Sequence, residues 1–362
     1  MTIYYSLFTN HESRITVHES RITNLGSRIK TKTNRVYNTP YHTQDLSQLN
    51  FLVTGGSGFI GSNLVEYLLK FSAGKVRVLD NLATGFKANL DEFASHPNFE
   101  FMEGDIRDLD TCKRAMEGID YVSHQAALGS VPRSINDPVT TNDVNIGGFL
   151  NMLVAQKGSA SVKRLVYAAS SSTYGDSTEL PKVEGVIGKP LSPYAVTKLV
   201  NELYADVFYK TYGTATIGLR YFNVFGPKQS PTGAYAAVIP LFMQALMDNQ
   251  PPTINGDGEQ TRDFTFVENA VAANVKAFFA SEEAVNEVFN VAYGDRISLN
   301  TLWSELKVIS EKNIEAHHGP DRKGDVRDSL ANIDKAKKLL GYDPQFSAAE
   351  GMKITWKKFS SQ

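Results

Sequence analysis

The stretch Phe51-Leu52-Val53-Thr54-Gly55-Gly56-Ser57-Gly58-Phe59-Ile60-Gly61 decides the fold. Its first four residues are an apolar run that reads as a buried strand, and an amphipathic helical pattern follows, fading near Leu69. Each glycine between them has a physical reason to be there. Gly55 permits a tight turn, Gly58 lets the backbone come close to a pyrophosphate, and Gly61 lets the helix lie close on the strand. The helix N-terminus then offers unpaired N–H groups and the positive end of its dipole. A second strand, Val76-Arg77-Val78-Leu79, ends in Asp80. A carboxylate at that strand end accepts hydrogen bonds from ribose hydroxyls and repels a 2′-phosphate, which favours NAD over NADP.

Three more strands extend the pattern. Phe99–Met102 runs into Gly104-Asp105-Ile106, placed to edge an adenine, and Asp120–Ser123 runs into Gln125-Ala126-Ala127, whose small side chains leave a cofactor room. Arg164–Ala169 delivers Ser170 to the same carboxyl edge, where open α/β sheets bind ligands. A serine there also suits a helix cap, so its meaning comes from Ser192-Pro193-Tyr194-Ala195-Val196-Thr197-Lys198. Tyr194 and Lys198, four apart, stack on one helix face, behind an N-cap at Ser192 and a first-turn proline at Pro193. A phenol titrates ordinarily near ~10, and a nearby ammonium with a nicotinamide cation is expected to pull it toward neutrality. Tyr194 then takes a proton from a sugar hydroxyl while the carbon beneath gives up hydride.

Composition narrows the partners. In 362 residues there is room for one large α/β unit or two lobes, and the net charge of −2 argues against a general nucleic-acid binder. No apolar run reaches the ~18 residues of a membrane span, so no membrane insertion is expected. Cys112 is the only cysteine, which excludes a disulfide framework and a thiolate metal site and makes a reducing cytoplasm the expected home. The seven histidines form no ligand pattern either; His124, closing a strand, reads as packed or cofactor-adjacent.

Residues 1–49 stand apart. HESRITV, HESRITN, LGSRIKT and KTNRVYN repeat every seven residues from His11, with Arg14, Arg21, Arg28 and Arg35 in equivalent places. One reliably apolar position per repeat is too few for a coiled-coil seam. Six basic against three acidic residues give this stretch +3. It reads as a poorly structured extension in preference to a targeting sequence or a tether to an anionic surface. The expected organisation is thus an extension at 1–49, a dinucleotide half at 50–220, and a substrate lobe at 221–362 with segments returning to the first half.

Taken together, GGSGFIG, Asp80, Gly104-Asp105-Ile106, the serine after the fifth strand and Tyr194-x-x-x-Lys198 resemble the extended short-chain dehydrogenase/reductase family. Ala127-Leu128-Gly129-Ser130-Val131-Pro132-Arg133-Ser134, SSSTYG from Ser170, SPYAVTK, YFNVFGP from Tyr221 and GAYAAVIP from Gly233 resemble its bacterial UDP-N-acetylglucosamine 4-epimerases of O-antigen and capsule pathways. The resemblance runs from Asn50 to the C-terminus. It implies a Rossmann-type doubly wound parallel sheet with a smaller C-terminal substrate lobe. It implies NAD contacts by Gly55, Gly58, Phe59, Ile60, Gly61, Asp80, Asn81, Gly85, Asp105, Ile106, Gln125, Ala126, Ala127, Tyr194, Lys198, Tyr221 and Val224. For a UDP-sugar it implies Gly129, Ser130, Arg133, Ser170, Ser171, Tyr194, Ala237 and Val238 around the sugar. Asn223 would meet the diphosphate, Thr253 and Asn255 the uracil, Arg262 and Arg322 the phosphates, and Asp325 the uridine ribose. Ser329, four places past Asp325, is small where a bulky residue would restrict the pocket to plain hexoses, so a 2-acetamido group is expected to fit.

The implied chemistry is reversible oxidation at C4, with Tyr194 as base, Lys198 lowering its pKa and holding the nicotinamide ribose, and Ser170 bonding the sugar oxygen. Dehydratases and UDP-glucuronate decarboxylases of this family carry an acid just after the active-site serine; Ser171-Ser172-Thr173 has none. A non-catalytic NAD sensor would be expected to lack the Tyr or Lys. Arg133 leaves a C6 carboxylate, and so an N-acetylhexosaminuronate, open as substrate. Helices over Val144–Ala155 and Val196–Phe208 present apolar faces that would pair with a second copy in a homodimer or be internal core.

Overall fold

Six parallel strands come first in the chain: β1 (Asn50–Thr54), β2 (Lys75–Asp80), β3 (Phe99–Glu103), β4 (Tyr121–His124), β5 (Arg164–Ser170) and β6 (Thr216–Tyr221). The computed structural model describes residues 37–232, 236–320 and 327–361, so most of the heptad repeat lies outside the described residues. After β6 the chain builds a lobe from β7 (Val224–Phe225), β8 (Thr253–Asn255), β9 (Thr261–Arg262) and β10 (Thr265–Phe266), then returns as β11 (Val288–Val291). β11 pairs in parallel with β6 and completes a seven-stranded sheet of order 3-2-1-4-5-6-11. The order reverses between β1 and β4, and that switch point opens a crevice beyond the carboxyl ends of the strands. In the lobe, β7 pairs with β10, β9 with β12 (Ile297–Ser298), and β8 with β13 (His317–Gly319). This is the expected doubly wound α/β fold.

The strands read as near-continuous apolar runs because helices cover both faces. The helices that matter are α1 (Phe59–Lys70), α2 (Leu109–Met116), α3 (Gly148–Gly158), α4 (Pro193–Tyr212), α5 (Val238–Met247), α6 (Val267–Phe278), α7 (Leu299–Ser310) and α8 (Ala348–Phe359). On one face Leu52, Val122, Leu165 and Tyr167 pack with Met116 of α2, Phe149 and Met152 of α3 and Phe208 of α4. Phe51, the neighbour of Leu52, points the other way and meets Phe278 of α6 at 5.4 Å. The lobe has its own core, in which Phe225, Phe264 and Ile254 meet Phe242 of α5, Trp303 of α7 and Met352 of α8.

One boundary shifts, and one open alternative divides between two helices. The compact unit is Thr39–Gln362, so the dinucleotide half and the lobe belong to one body, which starts before Asn50. Leu46 is buried, Tyr41 stacks on Tyr67 of α1 at 5.4 Å, and its hydroxyl donates to Glu268 of α6 at 2.6 Å. The sequence hid this because Tyr41 has no periodic partner nearby; its partners lie 26 and 227 residues away. The alternative left open for the two apolar helices, a second copy or internal core, is met differently in each. Phe149, Met152 and Leu153 of α3 are internal core, while Val196, Leu203 and Val207 of α4 are exposed.

Candidate active site

The glycine turn is built as its spacing demands. Gly55 has φ +68°, and a Cβ on it would lie 2.6 Å from the Ala126 nitrogen. On Gly61 a Cβ would lie 2.3 Å from the Gly55 carbonyl oxygen, so only glycine allows α1 to start this close to β1. Gly58 meets only that carbonyl, at 3.2 Å. It is the N-cap of α1, and the first turn has neither a side-chain cap nor an acidic residue, which fits a pyrophosphate there. Asp80 ends β2 nearly buried, with Oδ2 accepting from the Ser57 N–H at 3.0 Å and Oδ1 from the Leu82 N–H at 2.8 Å. The carboxylate is therefore locked beside the glycine turn. Gly85 packs against Ser57, where a Cβ would collide with Oγ at 1.9 Å.

A cavity of about 750 Å³ opens from this turn along the carboxyl edge of the sheet. It brings together Gly55, Gly58, Phe59, Ile60, Gly61, Asp80, Asn81, Gly85, Asp105, Ile106, Gln125, Ala126 and Ala127 with Tyr221 and Val224. Ser170, Tyr194 and Lys198 share its wall with Gly129, Ser130, Arg133, Asn223 and Ala237. At the far end Asp105 accepts from Asn81 Nδ2 at 2.8 Å and from Arg107 Nη2 at 2.8 Å. The Arg107 guanidinium holds that carboxyl down to about 2. Arg107, Thr140, Gln229 and Ser230 also line the cavity and were not picked out by sequence reasoning. Arg107 follows the Gly104-Asp105-Ile106 signal directly; the others carry no local signature.

The reacting groups are set by α4. Ser192 caps it, its Oγ accepting from the Ala195 N–H at 3.2 Å, Pro193 fills the first turn, and Gly213 closes it in the left-handed region. Lys198 is buried, with Nζ donating to the Ala168 carbonyl at 2.7 Å and lying 5.9 Å from the Tyr194 ring centre. Ser170 both lines the cavity and caps the turn Ser171–Tyr174, its Oγ accepting from the Ser172 N–H at 3.1 Å. The expected lowering of the Tyr194 pKa is not built into the protein alone. Burial raises it, and the Ser170 hydroxyl opposes that only in part. Burial also lowers Lys198 to about 8, against the pull of Glu202. His124 stays neutral, driven by burial and by Lys198 to about 3, and its Nδ1 lies 2.8 Å from Thr54 Oγ1.

A second cavity of about 520 Å³ meets the first at Asn223, Val224, Ala236 and Ala237. It is lined by Val238, Thr253, Asn255 and Arg262, with Gln260, Phe264 and Leu299 as additions that sequence reasoning missed. On β8 the flanking Thr253 and Asn255 are exposed while Ile254 between them is buried, the alternation of a one-sided strand. Arg262 Nη1 donates to the carbonyls of Thr261 and Arg327 at 2.8 and 3.0 Å. Asn223, at φ +34°, donates to the Asp263 carbonyl at 3.1 Å. Ser171 and Ser329 line neither cavity; the Ser329 N–H donates to the Thr261 carbonyl at 3.1 Å. Arg322 and Asp325 lie outside the described residues.

A glycine turn at the switch point of a doubly wound sheet, with a Ser, Tyr and Lys on the same edge, defines an NAD-binding α/β protein. The NAD-dependent epimerase/dehydratase family model matches residues 51–292, and the chain belongs to that family and uses NAD. A putative UDP-glucose 4-epimerase of Methanocaldococcus jannaschii is 37% identical over 85% of this chain and 98% of its own length. The solved UDP-N-acetylglucosamine 4-epimerase of Methanobrevibacter ruminantium M1, in complex with UDP-N-acetylmuramic acid, superposes with a TM-score of 0.82 at 37% identity, covering 87% of this chain and 99% of that one. The UDP-glucuronic acid 4-epimerase of Bacillus cereus, in complex with UDP-glucuronic acid and NAD, gives 0.80 at 31%, covering 86% and 99%.

Proposed function

We propose that the protein is a UDP-N-acetylhexosamine 4-epimerase, interconverting UDP-N-acetylglucosamine and UDP-N-acetylgalactosamine. One observation carries the choice of epimerisation within the family. Among the described residues lining the two cavities the carboxylates are Asp80 and Asp105, both at the adenosine end, and none stands by Ser170 and Tyr194. Elimination at C6 needs an acid there, whereas epimerisation needs a proton acceptor and donor at one oxygen. Bound NAD supplies the hydride acceptor. Tyr194 takes the 4-hydroxyl proton and returns it to the same oxygen once the 4-keto sugar has turned and C4 has regained its hydride on the opposite face, and Ser170 hydrogen-bonds that oxygen in both poses. Lys198 favours the phenolate and holds the ribose.

Gly129 and Ala237 keep the wall beside the sugar small, which supports a 2-acetamido substituent, and a similar enzyme is a UDP-N-acetylglucosamine 4-epimerase. Thr253, Asn255 and Arg262 would take the uridine and its phosphates, with Arg322 expected on the phosphates and Asp325 on the uridine ribose. Arg133 in the sugar wall favours the N-acetylhexosaminuronate as second substrate. The product class suits precursor supply for surface polysaccharide in the cytoplasm, and the exposed Val196, Leu203 and Val207 of α4 suit a homodimer. The test incubates purified protein with UDP-N-acetylglucosamine, adding no cofactor, and follows the anomeric protons by NMR. A growing UDP-N-acetylgalactosamine signal is expected. Conversion of the uronate alone moves the substrate, and silence with both after adding NAD removes the epimerase.

A further inference from the structure

One turn behind Lys198, helix α4 carries a charged residue for which the chemistry above has no use. Glu202 is buried, and both its oxygens accept from Arg220, Oε1 from Nε at 2.9 Å and Oε2 from Nη2 at 2.7 Å. This is the two-point fork that guanidinium makes best. Arg220 is also buried, on β6, opposite Ala169 of β5 and one residue before the cavity-lining Tyr221. Its Nη1 donates to the Glu184 carbonyl at 3.0 Å, and its guanidinium lies 4.9 Å from the Tyr174 ring centre. Tyr174 in turn donates to Asn290 on β11 at 2.7 Å. The pair therefore ties the catalytic helix to β6, the strand that carries Tyr221, and reaches through Tyr174 the turn that Ser170 caps.

A buried ion pair is weak evidence of a stability role, since apolar residues of the same volume hold a fold as well. Its position points elsewhere. We propose that Glu202 and Arg220 are positioning residues that set the charge on Lys198, Glu202 holding the buried ammonium protonated and Arg220 both fixing Glu202 and tempering its field. The inference rests on the reading of Lys198 as the partner of Tyr194. The groups facing Lys198 are Tyr194 and Glu202 on its own helix and His124 from β4; those facing the pair are Tyr167 from β5, Tyr174 and Glu184, with Asp206 beside Tyr167. His124, Tyr167 and Tyr174 are all kept neutral by burial across the working range, so Glu202 is the charge that opposes burial at Lys198. Removing the charge of Glu202 lowers the Lys198 pKa below about 8, and on Coulomb's law alone removing the neighbouring Arg220 cation acts in the opposite direction.

The experiment titrates the Lys198 side chain in the NAD-loaded full chain by its Cε NMR shift, assigned with Lys198→Arg. The expected result is opposite movement: Glu202→Gln lowers the midpoint by about 1 pH unit, Arg220→Met raises it, and Arg220→Lys stays close to the parent. The alkaline limb of kcat for UDP-N-acetylglucosamine should move the same way. Midpoints that stay put or move together make the pair structural only and overturn the proposal. Glu202→Gln is nearly isosteric, so its result decides the matter even where Arg220→Met fails to fold. Absence of turnover by the parent protein would count against the epimerase reading, and the titration would still decide the role of the pair.

Discussion

The two cavities are built by different rules. The cofactor cavity hangs on a contiguous run, Gly55 to Gly61, and on strand ends that all reach one edge of a parallel sheet. The second cavity is assembled from β7, β8 and β9, strands of two or three residues, and from α5, segments distant from one another in the chain. Asp263 shows the second rule. It is fully buried, and its carboxylate accepts from the N–H groups of Tyr293, Gly294 and Ala331, so one side chain knits three separate stretches behind Arg262. The first site is rigid by sequence, the second by tertiary structure, and substitutions should separate them.

The largest effect should come from the reacting group. Tyr194→Phe should cut kcat by about 10²–10⁴-fold while the purified protein keeps its NAD, measured by release on denaturation. A matching loss of NAD would mean that Tyr194 serves the cavity rather than the chemistry. Next, Gly61→Ala drives a Cβ against the Gly55 carbonyl at 2.3 Å and should cost about 1–3 kcal/mol of stability together with bound NAD. Gly58→Ala, whose Cβ meets only a carbonyl at 3.2 Å, should keep its melting temperature and lose NAD alone. Equal melting losses in both would blunt the assignment of separate roles to the two glycines.

In the second cavity Arg262→Ala should raise the KM for the UDP-sugar about 10–100-fold and leave kcat within about threefold. A fall in kcat instead would place Arg262 at the reacting sugar. The smallest effect is a pH slope. Burial pushes Asp263 up to about 7, above its ordinary carboxylate value, so the folded protein holds a proton that the unfolded chain has lost. That contribution to stability is complete at acid pH and fades as pH rises through about 7. Asp263→Asn should therefore flatten the decline of stability between about pH 4 and 7, by on the order of 1–3 kcal/mol, read from urea unfolding.

These rules also decide what was legible. The doubly wound fold, the NAD turn and the Asp80 carboxylate were readable because each rests on a local pattern whose partners follow within about one βαβ unit. Residues 39–49 were read as tail because Tyr41 finds Tyr67 and Glu268 only in three dimensions. Gln260, Phe264 and Leu299 gave no signal for the same reason. Burial of the Tyr194 phenol, which raises its pKa in the protein alone, carries no local signature, because the motif names the partners of the phenol and omits its surroundings.

The central claim is that hydride leaves C4 and returns to the same carbon with no net redox change. The direct test supplies UDP-N-acetylglucosamine deuterated at C4 and follows the product by NMR and mass spectrometry. Full retention of deuterium at C4 of UDP-N-acetylgalactosamine, with no accumulation of NADH, is the predicted result. Exchange of the label with solvent, or a product that has lost water or carbon dioxide, would contradict the account.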